Sequence, residues 1–251
     1  MAKQKSPVVK LKGSIDDMSF YRTQDGFLAR EKRSIDPERL KSDPAFANTR
    51  NAMAEFADAG AASKLLRQAY VNELSIASDG RVIGRSVRAM MRVLKSDAVN
   101  RRGARKVAIG DPTMLKGFEF NIAAPLDACL KAASTIVLNR ATGQAAIVVP
   151  ALVPTQLIAV PDMATHYRLF AAAAAIDFGT GDSFITRTKS AELPWTTVEA
   201  AEVTLQLTLP AATTAPIFLA LGIEYSAQTN GFSDPVAKNA NAFKLIYVDK
   251  P

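Results

Sequence analysis

Two kinds of hydrophobic spacing divide the chain. Near the front, apolar positions alternate with polar ones. From Val8 onward, Val9 and Leu11 oppose Lys10 and Lys12, and residues 19–22 and 27–30 then flank Thr23, Gln24, Asp25 and Gly26. Alternation marks a strand with two unlike faces. Asp-Gly between two such runs marks a β-hairpin, because the turn needs positive φ and glycine adopts it without steric penalty. The pattern puts Phe20 and Leu28 on one face, and Tyr21 and Phe27 on the other. A two-stranded hairpin is marginal alone in water, so this one needs a covering surface, from its own chain or from a neighbour.

The period then lengthens. Residues 32–42 read as a charged connector. Asp43 followed by Pro44 predicts a helix start, with the aspartate as cap and the proline in the first turn. Phe46, Met53, Phe56 and Gly60 follow at spacings of 7, 3 and 4, one helical stripe, which Leu65, Leu66, Ala69 and Tyr70 continue. Gly60, among small residues, predicts close approach of another backbone or a break. After a turn at Ser78, Asp79 and Gly80, the positions of Val82, Ile83, Val87, Met90, Met91 and Leu94 predict a second amphipathic helix. Its opposite face carries Arg81, Arg85, Arg88, Arg92 and Lys95. Asp111 and Pro112 repeat the cap-then-proline signal, and Phe118 and Phe120 open the strand-like part.

From about residue 133 short apolar runs alternate with turn-rich separators. The expected strands are a pair meeting at Ala141, Thr142 and Gly143, then 155–160, 165–178, 184–189, 200–209, 215–228 and 242–248. Val203, Leu205, Leu207 and Leu209 alternate strictly with Thr204, Gln206 and Thr208, as in a half-buried strand. The long runs 165–178 and 214–227 have the character of central strands, although the alanines 171–175 also suit a helix. The expected fold is α+β: an N-terminal β-hairpin arm over 1–33, a basic helical region over 34–117, and an antiparallel β-sandwich-like domain over 118–251.

Charge sharpens this division. Residues 1–106 carry 22 Lys/Arg against 12 Asp/Glu, a net of +10, and residues 107–251 carry 9 against 12, a net of −3. A basic front attracts nucleic acid through counterion release, or the acidic part of another copy. Hydrophobic residues make up 48% and charged residues 22%, which suits a globular chain and excludes wholesale disorder. No apolar run is long enough for a membrane-spanning helix, and no signal-peptide pattern opens the chain. A cytoplasmic location is expected.

Motifs for chemistry are few. The single cysteine, Cys129, lies among apolar neighbours and reads as a small core residue. The single histidine, His166, sits within an expected strand, with no G-x-S-x-G elbow to supply a nucleophile. Gly179, Thr180 and Gly181 lack the third glycine of a phosphate loop and read as a hairpin turn. Asp16 with Asp17, and Asp177 with Asp182, show no calcium-loop spacing. No cofactor, metal or small-molecule substrate is expected. Arg81, Arg85, Arg88, Arg92, Arg101, Arg102, Arg105 and Lys106 form the candidate surface for nucleic acid or an acidic partner.

The segments KLKGSIDDMSFYRTQDGFLAREK and DPAFANTRNAMAEFADAGAASKLLR, within residues 9–68, resemble a family of uncharacterised bacterial proteins with a short lysine-rich leader. The resemblance implies that hairpin and first helix form a package ahead of a separate β-domain. It carries no assigned activity and transfers no catalytic residue. The expectation from these readings is a structural or assembly protein, a subunit of a particle, tube or filament of phage-like kind, rather than an enzyme whose site is assembled from loops of the β-domain. Phe20, Tyr21, Phe27, Leu28 and Arg30 would engage other copies, with Lys32 and Arg33 as rim charges. The alternative is a nucleic-acid-binding accessory protein using the basic helical region.

Overall fold

A computed structural model describes residues 2–5, 9–31 and 36–251. Val8, Lys32 and Arg33, which figured in the expectations, lie outside the described residues. The fold is α+β. Its chain divides into two compact units, Met1–Arg50 and Asn51–Pro251. The expected divisions at 33/34 and 117/118 do not coincide with this one, because the helices of the basic region share a hydrophobic core with the large sheet.

The first unit is built on a sheet of four strands in the order β1-β4-β3-β2: β1 (Ala2–Lys3), β2 (Gly13–Ile15), β3 (Met18–Thr23) and β4 (Gly26–Glu31). The expected hairpin is β3–β4, and it is not alone, since β1 and β2 extend it on both sides. Gly26, at φ 112°, closes the turn as expected. Thr23 pairs with Gly26, so Tyr21 lies opposite Leu28, and Arg22 opposite Phe27. The expected faces are therefore corrected. Tyr21 and Leu28 share one face, while Phe20, Phe27 and Ala29 share the other. The supposed connector 32–42 also holds a short helix, α1 (Pro37–Ser42), whose Glu38 N–H is capped by Asp36.

Asp43 and Pro44 start a 3₁₀ turn, Pro44–Phe46, in which Asp43 accepts a hydrogen bond from the Ala45 N–H at 2.9 Å. The long helix α2 (Ala47–Ala69) follows and spans the division between the units. Its buried face is Glu55, Ala59, Ala62, Ser63, Leu66 and Ala69. The expected stripe is thus corrected, since Met53 and Phe56 are 55% and 60% exposed. Small residues set this orientation by letting α2 approach α4 (Val82–Lys95), where the Ser63 and Ser86 hydroxyls meet at 2.8 Å. Between these helices lies α3 (Val71–Ile76). Helix α4 buries Val82, Ser86, Ala89, Met90, Val93 and Leu94, while Ile83 points outward. A second capped 3₁₀ turn, Pro112–Leu115, and the short α5 (Leu126–Cys129) lead into the remaining strands.

Strands β5 (Thr135–Asn139) and β6 (Gln144–Val149) form the expected hairpin. Over residues 155–160 the expected strand gives way to a helical turn, α6 (Pro154–Leu157), as its leading proline favours, and a single bridge from Ile158 to Leu130. Then come β7 (His166–Ile176), β8 (Ser183–Lys189), β9 (Leu193–Pro194), β10 (Val203–Thr208), β11 (Ile217–Thr229), β12 (Phe232–Pro235) and β13 (Ala242–Asp249). β7 and β11 pair antiparallel at the centre of the larger sheet. β8 and β9 flank β7, and β12 and β13 flank β11. β10, β6 and β5 make a separate three-stranded sheet.

The three layers follow from parity along β7. Leu169, Ala171, Ala173 and Ala175 face the three-stranded sheet, in a core with Ile147, Leu205, Leu207 and Leu219. Phe170, Ala172, Ala174 and Ile176 face the helices, in a core with Leu66, Met90, Leu94 and Phe243. Alanine serves on both faces because helices and sheet come close on either side. At Gly222, opposite Phe170 in the ladder, a Cβ would fall 2.2 Å from the Phe170 ring and 2.6 Å from the Ala242 carbonyl oxygen.

Candidate interaction surfaces

The first unit leaves nearly all of its described apolar side chains exposed or half-buried. Ala29 is the one buried hydrophobic residue it contributes among those described, whereas Val9, Leu11, Ile15 and Met18 are exposed. No described residue of this unit belongs to either large hydrophobic cluster. Cations cover its aromatic rings instead. The Arg30 guanidinium lies 5.6 Å from the Tyr21 ring, and Arg22 and Lys10 lie 5.6 and 5.8 Å from that of Phe27. Such contacts are favourable at the surface but worth far less than full burial of an aromatic ring. Phe20, Tyr21, Phe27 and Leu28 are half-buried and Arg30 is exposed, so the proposed contact residues fall on two opposite faces of one sheet.

The basic stretch separates into structural and exposed residues. Arg85 turns inward to donate to the carbonyls of Glu119 and Phe120 and to the Asp79 carboxylate, and its guanidinium lies 5.4 Å from the Phe118 ring. It pins the entry to the strand region rather than offering a free charge. The Arg81 N–H is held by Asp79 at 2.7 Å. Lys106 Nζ donates to Asp58 at 3.0 Å, and Arg105 is half-buried. Arg88, Arg92, Arg101 and Arg102 remain exposed.

Three acids that carried no signal in the sequence organise the basic loop. Glu55 accepts from the Gly103 N–H at 2.9 Å, and Asp58 from the Val107 N–H at 2.9 Å. Asp97 accepts from the N–H groups of Val99, Asn100 and Lys106 and from the Asn100 side chain, at 2.9 to 3.0 Å. Burial pushes the Asp97 carboxyl upward in pKa, but these donors outweigh it and hold the group at about 2. The signal that could have located two of them is spacing: Glu55 and Asp58 lie three residues apart on α2, on one side of the helix.

A cleft of about 460 Å³ opens beside the large sheet, lined by Arg168, Glu192, Glu224, Ser226, Ser233 and Lys238 among others. Its acids are answered internally. Glu224 accepts from Arg168 at 3.3 Å and Lys189 at 3.1 Å. Glu192 accepts from the Ser226 and Ser233 hydroxyls, which lower its pKa. His166 lies opposite Ser226 in the β7–β11 ladder, yet its Nδ1 sits 2.9 Å from Thr165 Oγ1 while the Ser226 hydroxyl points to Glu192. Cys129 is buried in the core between the sheets, and desolvation raises its pKa.

Among the described residues, no cluster of three or more His, Cys, Asp or Glu is placed to hold a metal ion, and no helix is long and apolar enough to cross a membrane. Comparison of the whole chain with family models, curated proteins and solved structures finds no match, so no relative assigns a role to these surfaces.

Proposed function

We propose that the chain is a non-enzymatic structural subunit that associates with copies of itself into a higher-order assembly, a particle, tube or filament of phage-like kind. The observation that carries this reading is the first unit. Its strands present Ile15 and Met18 to solvent, Leu11 ahead of β2 is exposed as well, and the unit contributes a single buried hydrophobic residue among those described. A sheet with so little apolar burial is weakly stable by itself, and adding strands to an exposed edge is an established mode of protein association. The net charges of +10 and −3 on the front and back portions favour contact between unlike parts of two copies.

The test is light scattering behind a sizing column at low and high salt, with negative-stain images of the same fractions. Full-length protein is expected to form large regular species, and protein lacking residues 1–33 to lose them. A full-length monomer at high concentration and low salt, indifferent to that deletion, overturns the proposal. A second reading, a nucleic-acid-binding accessory protein, draws on the exposed Arg88, Arg92, Arg101 and Arg102. It requires a gel shift with duplex or single-stranded nucleic acid that weakens steeply with salt, and absence of any shift at low salt removes it.

A further inference from the structure

Two open sheet edges, one in each unit, are suited to each other. The first is β2, which pairs with β3 alone among the described residues, and whose three residues are all exposed. The second is β5, Thr135–Asn139, which pairs with β6 alone among them. An edge strand presents the N–H and C=O of every second residue to solvent.

β5 lacks the usual devices that blunt such an edge. Its sequence, TIVLN, is rich in β-branched residues and contains no charge and no proline. β6 and β10 are likewise uncharged, so the whole three-stranded sheet carries no ionisable side chain. By contrast, the edge strand β8 of the larger sheet carries Arg187 and Lys189. Inward-pointing charge and edge lysines are how sheets commonly avoid unwanted pairing, and β8 has them where β5 does not.

The core between the sheets is also thin at this edge. On β6, Ala145 and Ile147 are fully buried, but their β5 neighbours Leu138 and Ile136 are only half-buried. One more strand with apolar side chains at alternate positions would cover them. β2 supplies one such side chain, Ile15, with Gly13 two positions before it leaving room on the same face. Ile15, 55% exposed, shares a face with Met18 and Phe20 of β3, and Ser14 points the other way. The first unit is basic, with 11 Lys/Arg against 7 Asp/Glu over residues 1–50, and meets no basic side chain on the uncharged sheet. The exposed Glu199 and Glu202 lie just before β10, at the Thr135 end of that sheet, and add attraction at long range.

We propose that β2 of one copy pairs antiparallel with β5 of a second copy, joining the first unit's sheet to the three-stranded sheet of its neighbour. Ile15 and Met18 then extend the layer of Ile136 and Leu138, and Ser14 lies beside Val137 on the outer face. This names the partner and the acceptor for the self-association proposed above, and rests on that reading. Because donor and acceptor are different surfaces, every added copy carries a fresh acceptor edge, and the contact propagates until it closes into a ring or runs on as a filament.

The experiment uses full-length chains carrying Ser14→Cys in one preparation and Val137→Cys in the other, with Thr135→Cys and Asn139→Cys to cover a two-residue change of register. All four positions are exposed, and opposed cysteines on adjacent strands lie within disulfide range. The buried Cys129 thiol stays out of the reaction. On mixing and mild oxidation, a disulfide-linked pair of the two preparations is expected, in excess over either preparation with itself. A companion variant, Ile15→Asp, is expected to weaken association about tenfold with the unfolding midpoint unchanged, since one apolar contact of this size corresponds to that factor. Assembly by light scattering without a mixed disulfide at any of the three acceptor positions overturns this pairing and leaves self-association standing. A mixed disulfide no more abundant than the disulfides each preparation forms with itself also overturns it. A monomer in the scattering experiment removes both.

Discussion

Arg85 and Arg88 lie three residues apart on α4, yet they belong to different parts of the protein's economy. Arg85 satisfies two backbone carbonyls and Asp79, all in the second unit. Arg85→Ala is expected to cost about 2 kcal/mol of stability in urea unfolding, as for partly buried charged hydrogen bonds, whereas Arg88→Ala is expected to stay within about 0.5 kcal/mol. Equal effects of the two would return Arg85 to the candidate binding surface. Asp97 supplies a pH prediction. Its pKa is held at about 2 in the folded protein, below the ordinary value of about 4 for an unfolded chain. Its stabilising contribution is therefore complete above about pH 4 and is lost as the pH falls towards 2. Asp97→Asn is expected to flatten that part of the acid-unfolding profile. At Gly222 the added methyl of alanine meets the Phe170 ring and a backbone carbonyl. Gly222→Ala is expected to destabilise by about 1–3 kcal/mol through overpacking, read as a lowered thermal midpoint.

At the scale of elements, the strands that alternate were legible and those that do not were harder. β10 announces itself, since each inward leucine is followed by an outward threonine or glutamine. β7 does not, because both of its faces are covered and the alanines 171–175 carry no period of two. β12 lay hidden in a stretch whose Asn, Gly, Ser, Asp and Pro read as turn. The largest error concerned α2. Hydrophobic size pointed to Met53 and Phe56 as its inner face, but packing against α4 is set by how closely backbones approach, and Ala59, Ala62 and Ser63 permit more than phenylalanine does. Ala59→Leu is accordingly expected to cost about 1–3 kcal/mol, and Phe56→Ala less than about 0.5 kcal/mol. The reverse order in urea unfolding would contradict this orientation. Of the candidate surfaces, the hairpin was visible through its turn chemistry. The inward turn of Arg85 was not, because its partners are backbone carbonyls near residue 120 that no local pattern announces.

At the scale of the whole molecule, the two hydrophobic clusters lie within Asn51–Pro251. A chain beginning at Asp43, which retains the capped 3₁₀ turn leading into α2, is expected to fold with the circular dichroism and cooperativity of that unit and to lose self-association. Its failure to fold would show that the first unit contributes to the stability of the second. The pairing of the chain's distant parts has a further consequence, in time rather than in space. The Tyr70 hydroxyl donates to the Phe218 carbonyl, and the central strand β7 has β11, some forty residues later, as a partner. Neither core closes until the last strand, β13, is available. Contacts so far apart along the chain slow folding. During synthesis, the small N-terminal sheet emerges whole while the larger unit is still open, and the alanine-rich strand passes through an interval in which its own bias is helical. Under the proposed pairing, a newly made chain carries β2 before β5, β6 and β10 have all been made, so it accepts a neighbour only once its larger unit is complete.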